Sequence, residues 1–209
     1  MSTRSARTRC CSTVGVKVGV LALQGNVSEH IDAFERVLDR MGHSPSSSVF
    51  PVKRAGEISG CDALAIPGGE STTISRLIEK NHLYEPIRQF PGGMFATCAG
   101  MVLIATHVDD SRVHPLCLID MTVERNAFGR QKESFESDLS VQGLDGGPFH
   151  AVFIRAPVAT EVGKGVKVLA RIDRGIVAVE HGKHMALAFH PELSCDTRLH
   201  ERFLKKLGT

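Results

Sequence analysis

The chain has no tryptophan and one tyrosine among 209 residues, and aromatic residues make up only 5% of it. Single-stranded nucleic acid is held by stacking bases on exposed rings, so this scarcity argues against such a platform. Charge of one sign is also missing: 25 Lys and Arg stand against 23 Asp and Glu, a formal net charge of +2. So small an excess implies no polyanionic partner, and no nucleic acid is expected. No apolar run reaches the roughly 20 residues of a membrane-crossing helix, so no membrane partner is expected either. The six cysteines include no CxxC pair, which removes the usual zinc spacing, and neither a metal nor a cofactor is expected. Cys10 and Cys11 are neighbours in a polar tail, while Cys61, Cys117 and Cys195 stand singly. A reducing, cytoplasmic setting fits that usage.

What remains is the composition of an ordinary globular protein, long enough to bury roughly 70% of its unfolded surface in one core. Residues 1–15 carry Arg4, Arg7 and Arg9 amid Ser and Thr, with no acid. The stretch has the composition of a transit peptide but is short and lacks an apolar centre, so a disordered extension or a start codon placed too early is expected. Residues 16–209 then form a single domain.

Val16 to Leu23 is nearly continuous in apolar residues and reads as a buried parallel strand. Ser28 is the expected N-cap of a helix from Glu29 to Met41, with Ile31, Phe34, Val37, Leu38 and Met41 at helical spacing and Gly42 as its stop. Val49 to Val52 is a second strand, which Pro51 makes either weak or an edge. Ala63 to Ile66 is a third, ending in Pro67-Gly68-Gly69-Glu70-Ser71, and a helix with Ile74, Leu77 and Ile78 begins near Thr72. A fourth strand runs through Gly93-Met94-Phe95-Ala96-Thr97 into Cys98, followed by a helical pattern from Val102 to Thr106. Strands alternating with helices indicate a parallel sheet covered on both faces. From Met121 the rhythm changes. Met121–Glu124, Val152–Arg155, Val166–Ile172, Ile176–Glu180 and Met185–Phe189 are short strand candidates, with hairpin turns at 173–175 and 181–183. They are expected to extend the sheet in antiparallel fashion. A closing helix spans Thr197 to Leu207, with Leu199, Phe203, Leu204 and Leu207 inward.

Cys98 is the centre of interest. A strand that turns through small residues (Ala99, Gly100) into a helix holds one side chain in a strained, exposed pose, at the helix end that favours a thiolate. A lone cysteine is more often a buried core residue. Phe189-His190-Pro191-Glu192, far along the chain, supplies an imidazole and a carboxylate two positions apart. In a doubly wound sheet both strand ends can lie on one rim, which gives a nucleophile, base and orienting acid in the order Cys98, His190, Glu192. Gly68-Gly69 is either a plain tight turn or a source of unhindered N–H donors for an oxyanion, with the amide of Ala99 as a second donor. Arg125 and Arg155 follow apolar runs. Each either clamps a carboxylate or joins a surface ion pair, and chemistry alone does not choose. The remaining histidines have no ligand spacing; His181 and His184 flank a turn and are expected in solvent.

With these motifs in hand, the chain closely resembles the PdxT/SNO family of class I glutamine amidotransferases, the glutaminase subunits of pyridoxal 5′-phosphate synthase. The matching segments are Leu21 to Gly25, Pro67 to Thr73, Gly93 to Met101, Glu124 to Gln131, Val152 to Pro157 and Phe189 to Leu193. The Cys98 and His190-Pro191-Glu192 pairing is common to many class I glutaminases; the RNAFGRQ, PGGEST and FIRAP segments are more specific. The N-terminal extension and the Ser-rich joint from Ser44 to Ser48 depart from the family pattern.

The resemblance implies a flavodoxin-like α/β fold, a mostly parallel sheet flanked by helices with added antiparallel strands. It implies that Cys98 attacks the side-chain amide of L-glutamine, that His190 shuttles the proton and that Glu192 holds the imidazole. Gly69, Glu70, Ser71, Arg125, Ile154 and Arg155 would bind glutamine, and Gly69 with Ala99 would form the oxyanion hole. The implied partner is the barrel-shaped synthase subunit, which would receive the ammonia in a hetero-oligomeric complex, with Gln24, Gly25 and Asn26 as interface residues. The rival readings are the glutaminase of another amidotransferase, such as imidazole glycerol phosphate synthase, a non-catalytic binding module on the same fold, and a cysteine hydrolase of peptides.

Overall fold

A computed structural model describes residues 15–42, 45–128 and 134–208. The chain opens on β1 (Lys17–Leu21) and α1 (Val27–Arg40), followed by β2 (Ser48–Val52) and a short α2 (Ala55–Ile58). Then come β3 (Ala63–Ile66), α3 (Ser71–Lys80), α4 (Tyr84–Arg88), β4 (Gly93–Thr97) and α5 (Ala99–Ile104). β1, β3 and β4 pair in parallel, with β2 outside β1 at the sheet's edge. Every residue of β3 and β4 is buried, as a sheet covered by helices on both faces demands. Pro51 sits in the edge strand, where a missing N–H is tolerated.

Two local expectations are corrected. The N-cap of α1 is Asn26, not Ser28, which lies in the first turn and donates its hydroxyl to Glu29. Asn26 makes no side-chain capping bond, because its amide is turned toward the rim of the sheet. The pattern from Val102 to Thr106 is helical only to Ile104; the chain then enters β5 (Ala105–Val108). A short apolar run suits either structure, and periodicity does not separate them.

The second half holds β6 (Ile119–Glu124), β7 (Ser134–Leu139), β8 (Phe149–Ile154), β9 (Val158–Val162), β10 (Lys167–Ile172), β11 (Gly175–His181) and β12 (His184–Leu187). A 3₁₀ turn at Pro191–Leu193 and α6 (Arg198–Lys206) end the fold. The main sheet runs β2-β1-β3-β4-β12-β11-β9-β6-β5, with β10 also on β11. β12 joins β4 in parallel, while β11 is antiparallel to β9, β10 and β12. The expected antiparallel additions and both hairpin turns are present. β8 is the exception: it pairs with β7 in a separate two-stranded sheet. β5, β7 and β9 have no counterpart in the sequence analysis: Ala105 and Thr106 fall in a run read as helix, and Ser134–Leu139 and Val158–Val162 carry too few apolar residues to mark a strand.

Beneath β4, Phe95 meets Phe34 of α1 and Phe203 of α6 at ring separations of 5.4 and 5.2 Å. Leu199, Phe203 and Leu204 are buried as expected, and Leu207 packs half-buried on the core. The extension expected over residues 1–15 lies, up to residue 14, outside the described residues. So do Ser44 of the Ser-rich joint and residues 129–131 of the RNAFGRQ segment. Among the described residues, no helix is long and apolar enough to cross a membrane.

Candidate active site

Cys98 stands between β4 and α5 with φ 48° and ψ −103°, a conformation that costs a non-glycine residue about 1–3 kcal/mol. It is over-determined from both sides. Its N–H donates to Leu187 of β12 at 2.8 Å, and its carbonyl accepts from Val102 of α5. Gly100 is required by proximity, since a Cβ there would fall 2.2 Å from the carbonyl oxygen of Ile66. The strain expected at Cys98 is present but the exposure is not: the residue is buried at the cavity wall, and its thiol donates to the carbonyl of Ile154 at 3.6 Å.

His190 reaches the same rim because β12 and β4 are parallel neighbours, with Leu187 level with Thr97. Its backbone N–H is tied to Val152 of β8 at 2.9 Å. Pro191 starts the 3₁₀ turn that brings Glu192 back under the imidazole, with Oε1 2.7 Å from Nδ1. Nε2 is thereby left for the sulfur. The two side chains meet over Gly68, where a Cβ would stand 2.2 Å from Cε1 of His190 and 3.2 Å from Cβ of Cys98. Burial works against a charged imidazole, but hydrogen bonds with Cys98 and Glu192 outweigh it and hold His190 above its ordinary value. Burial likewise opposes the charge on Glu192. His30 and the hydrogen bond and charge of His190 overcome it and keep the carboxyl well below the usual range.

Cys98, Ala99 and His190 border one cavity of about 540 Å³, and Glu192 lies buried behind His190. Gly69, Glu70, Ser71, Arg125, Ile154 and Arg155 border the same cavity, so all six proposed contacts converge. Gly69 is dictated by the close approach of Gln24, whose Oε1 would be 2.5 Å from an added Cβ. Glu70 caps α3, accepting from the N–H of Thr73 at 2.8 Å and from the Thr72 hydroxyl. Its other oxygen meets Nη2 of Arg125 at 2.8 Å, and Asp110 holds Nη1 of the same guanidinium. Arg125 therefore both forms ion pairs and faces the cavity. Arg155 takes a positive φ of 46° at the end of β8, which turns the chain along the cavity wall.

Sequence reasoning missed the groups behind Glu192. Asn26, read as an interface residue, donates from Nδ2 to Oε1 of Glu192 at 3.2 Å. His30 is fully buried, with Nε2 3.4 Å from Oε2 of Glu192 and 3.0 Å from Oγ1 of Thr97. Burial is the main force lowering its pKa, against the pull of Glu192. The available signal was helical phase: residue 30 shares the inner face with Ala33, Phe34 and Val37. His200 is also fully buried, and neither ring nitrogen has a hydrogen-bond partner among the described residues. His181 and His184, expected in solvent, are half-buried, each with a buried Nδ1 that has no partner among the described residues; they lie at the ends of β11 and β12, and burial pushes the His184 pKa down.

A model of the SNO glutamine amidotransferase family matches residues 20–209. Over 193 residues the chain is 70% identical to pyridoxal 5′-phosphate synthase subunit PdxT of Methanoregula boonei, covering 92% of this chain and 100% of that protein. The protein of the same name from Methanosphaerula palustris is 65% identical over 193 residues, covering 92% and 98%. A crystal structure described as a glutamine amidotransferase superposes with a TM-score of 0.81 at 45% identity, covering 92% of this chain and 99% of that one.

Proposed function

The chain belongs to the SNO glutamine amidotransferase family, and we propose that its rim cavity hydrolyses L-glutamine to glutamate and ammonia through Cys98, His190 and Glu192. Nε2 of His190 takes the thiol proton, and the sulfur forms a bond to the side-chain amide carbon. The negative charge gathers on the amide oxygen, where the N–H groups of Gly69 and Ala99 receive it. The C–N bond then breaks, and His190 returns the proton to the departing nitrogen, releasing ammonia. Water attacks the thioester, the C–S bond breaks, and glutamate leaves with the thiol restored. Glu192 holds the imidazole through Nδ1 and stabilises its positive charge. Glu70 offers a carboxylate to the α-ammonium group of glutamine, and Arg125 and Arg155 offer guanidinium groups to its carboxylate; Gly69, Ser71 and Ile154 complete the contacts.

Ammonia set free in bulk water would be protonated and lose its nucleophilicity, so a private route into a second site is favoured. The relatives' shared name points to the second subunit of pyridoxal 5′-phosphate synthase as receiver, in a hetero-oligomeric cytoplasmic complex, rather than to the histidine-pathway enzyme. The turn at Gln24–Asn26, beside the cavity, is the proposed docking edge. No cofactor takes part in this half-reaction.

The meeting of Cys98 and His190 over Gly68, with Glu192 on the far ring nitrogen, carries this reading. The test is glutamate release by the chain mixed with its synthase subunit. Cys98→Ala is expected to lower the rate by about 10⁴-fold or more while the melting temperature stays within a few degrees. Undiminished hydrolysis by that variant would end the nucleophile assignment.

A further inference from the structure

We propose that Thr97 and His30 are positioning residues for this reaction, a buried polar chain that ties the turn carrying Gly69 to the acid of the triad. The inference rests on the glutaminase reading above and concerns groups that touch no substrate.

Thr97 closes β4, a strand otherwise made of Gly93, Met94, Phe95 and Ala96, and it is fully buried. A hydroxyl in such a place is costly unless it is bonded. Its Oγ1 accepts from the N–H of Gly68 at 3.0 Å and lies 3.0 Å from Nε2 of His30. Gly68 immediately precedes Gly69, so this bond fixes the turn from which the oxyanion donor emerges. On the other side, Nε2 of His30 stands 3.4 Å from Oε2 of Glu192.

The carboxylate is thus approached at both oxygens. Oε1 takes Nδ1 of His190 at 2.7 Å and Nδ2 of Asn26 at 3.2 Å. Oε2 has no hydrogen-bond partner among the described residues and faces only the longer contact from His30. Asn26 and His30 are four positions apart at the start of α1, one helical turn on the same face. One helix end therefore braces both oxygens of the group that orients the catalytic imidazole.

The tautomer follows from the surroundings. A proton on Nε2 of His30 points at two oxygens, with a hydrogen bond to Thr97 and an electrostatic contact with Glu192. The reverse tautomer would set a lone pair against the carboxylate and leave an N–H at Nδ1, which has no partner among the described residues. An unpaired buried donor is the costlier arrangement. With Nε2 protonated, Gly68, Thr97, His30 and Glu192 form a continuous path, and the turn and the acid hold their places together. Such bracing acts on the transition state, where charge appears at the oxyanion and on His190, more than on substrate capture.

The experiment uses the chain mixed with its synthase subunit and measures glutamate release against glutamine concentration, with a thermal melt for each variant. Thr97→Val removes the hydroxyl and preserves the shape. It is expected to lower kcat about 10- to 100-fold with KM within about twofold, while Thr97→Ser stays within about threefold of the parent. His30→Leu is expected to match Thr97→Val, and His30→Gln, whose amide can reach the same oxygens, to recover most of the rate. Parental kcat in both Thr97→Val and His30→Leu would overturn the proposal. So would a Thr97→Ser variant as slow as Thr97→Val. Should Thr97→Val fail to fold, the His30 pair decides: equal rates for Leu and Gln overturn it, and a fall confined to Leu supports it. A parent complex inert toward glutamine would bring down the glutaminase reading together with this one, whereas an active parent with indifferent variants removes only the bracing role.

Discussion

Gly68 has no room for a side chain because His190 and Cys98, the proposed base and nucleophile, close over it. A Cβ there would stand 2.2 Å from Cε1 and 2.9 Å from Nδ1 of His190, distances at which the ring must move. Gly68→Ala is therefore expected to displace the imidazole and lower glutamate release by roughly 10²-fold or more, since misplacement of about 1 Å has that effect on an aligned site. The Thr97 hydroxyl that accepts from Gly68 would be disturbed as well. Steady-state kinetics with the synthase subunit, beside a thermal melt to establish folding, checks this. The residue pattern around Cys98 was legible because it is local: a strand, small residues and a helix in direct succession. Asn26 and His30 were not legible as site residues, because their relation to Glu192 exists only after α1 is laid against the rim.

Among the elements, β8 does more for the site than its place in a side sheet suggests. It holds His190 through the carbonyl of Val152 and accepts the Cys98 thiol at the carbonyl of Ile154. It is anchored by Phe153, which is fully buried, stacked on Phe135 at 4.5 Å and 5.5 Å from Phe189. Phe153→Ala is expected to destabilise the protein by about 3–5 kcal/mol, read from denaturant unfolding. Activity should fall further than the unfolded fraction accounts for, because the two carbonyls lose their backing. The sequence reading placed a strand here but joined it to the main sheet. Apolar alternation marks a strand without naming its partner, and β7, with Glu136 and Asp138 on its outer face, carried too weak a pattern to be seen.

For the molecule as a whole, the buried histidines set how stability varies with pH. Burial pushes the pKa of His200 from 6.5 down to about 3, and His30 is shifted in the same direction. Below pH 6.5 the unfolded chain takes up protons that the native protein refuses, so stability falls as pH is lowered from 6.5 toward the native value. Glu192, held low, adds a loss only below about pH 4.5, as its unfolded form begins to titrate. His190 acts in the other direction: its raised pKa contributes stability below 6.5 that is lost as pH climbs toward about 10. Thermal stability is thus expected to peak near neutrality. His200→Leu, set among Phe34 and Phe95, should flatten the decline between pH 6.5 and 4.5, by roughly 1–3 kcal/mol at the lower end. Melting temperatures of both proteins across that window check it.

The amino-acid order alone determined the parallel half of the sheet, the strained cysteine, the His190 and Glu192 pair and the glycine turn, because each is a short-range pattern whose chemistry is complete within a few residues. Family resemblance then supplied the proposed glutamine contacts. Only the tertiary structure decided that β7 and β8 stand apart, that Glu70 and Asp110 grip Arg125, and that His30 and Thr97 sit behind the acid. Those facts depend on which faces meet across distant elements, and burial and strand partnership are properties of the packed chain that no local window contains.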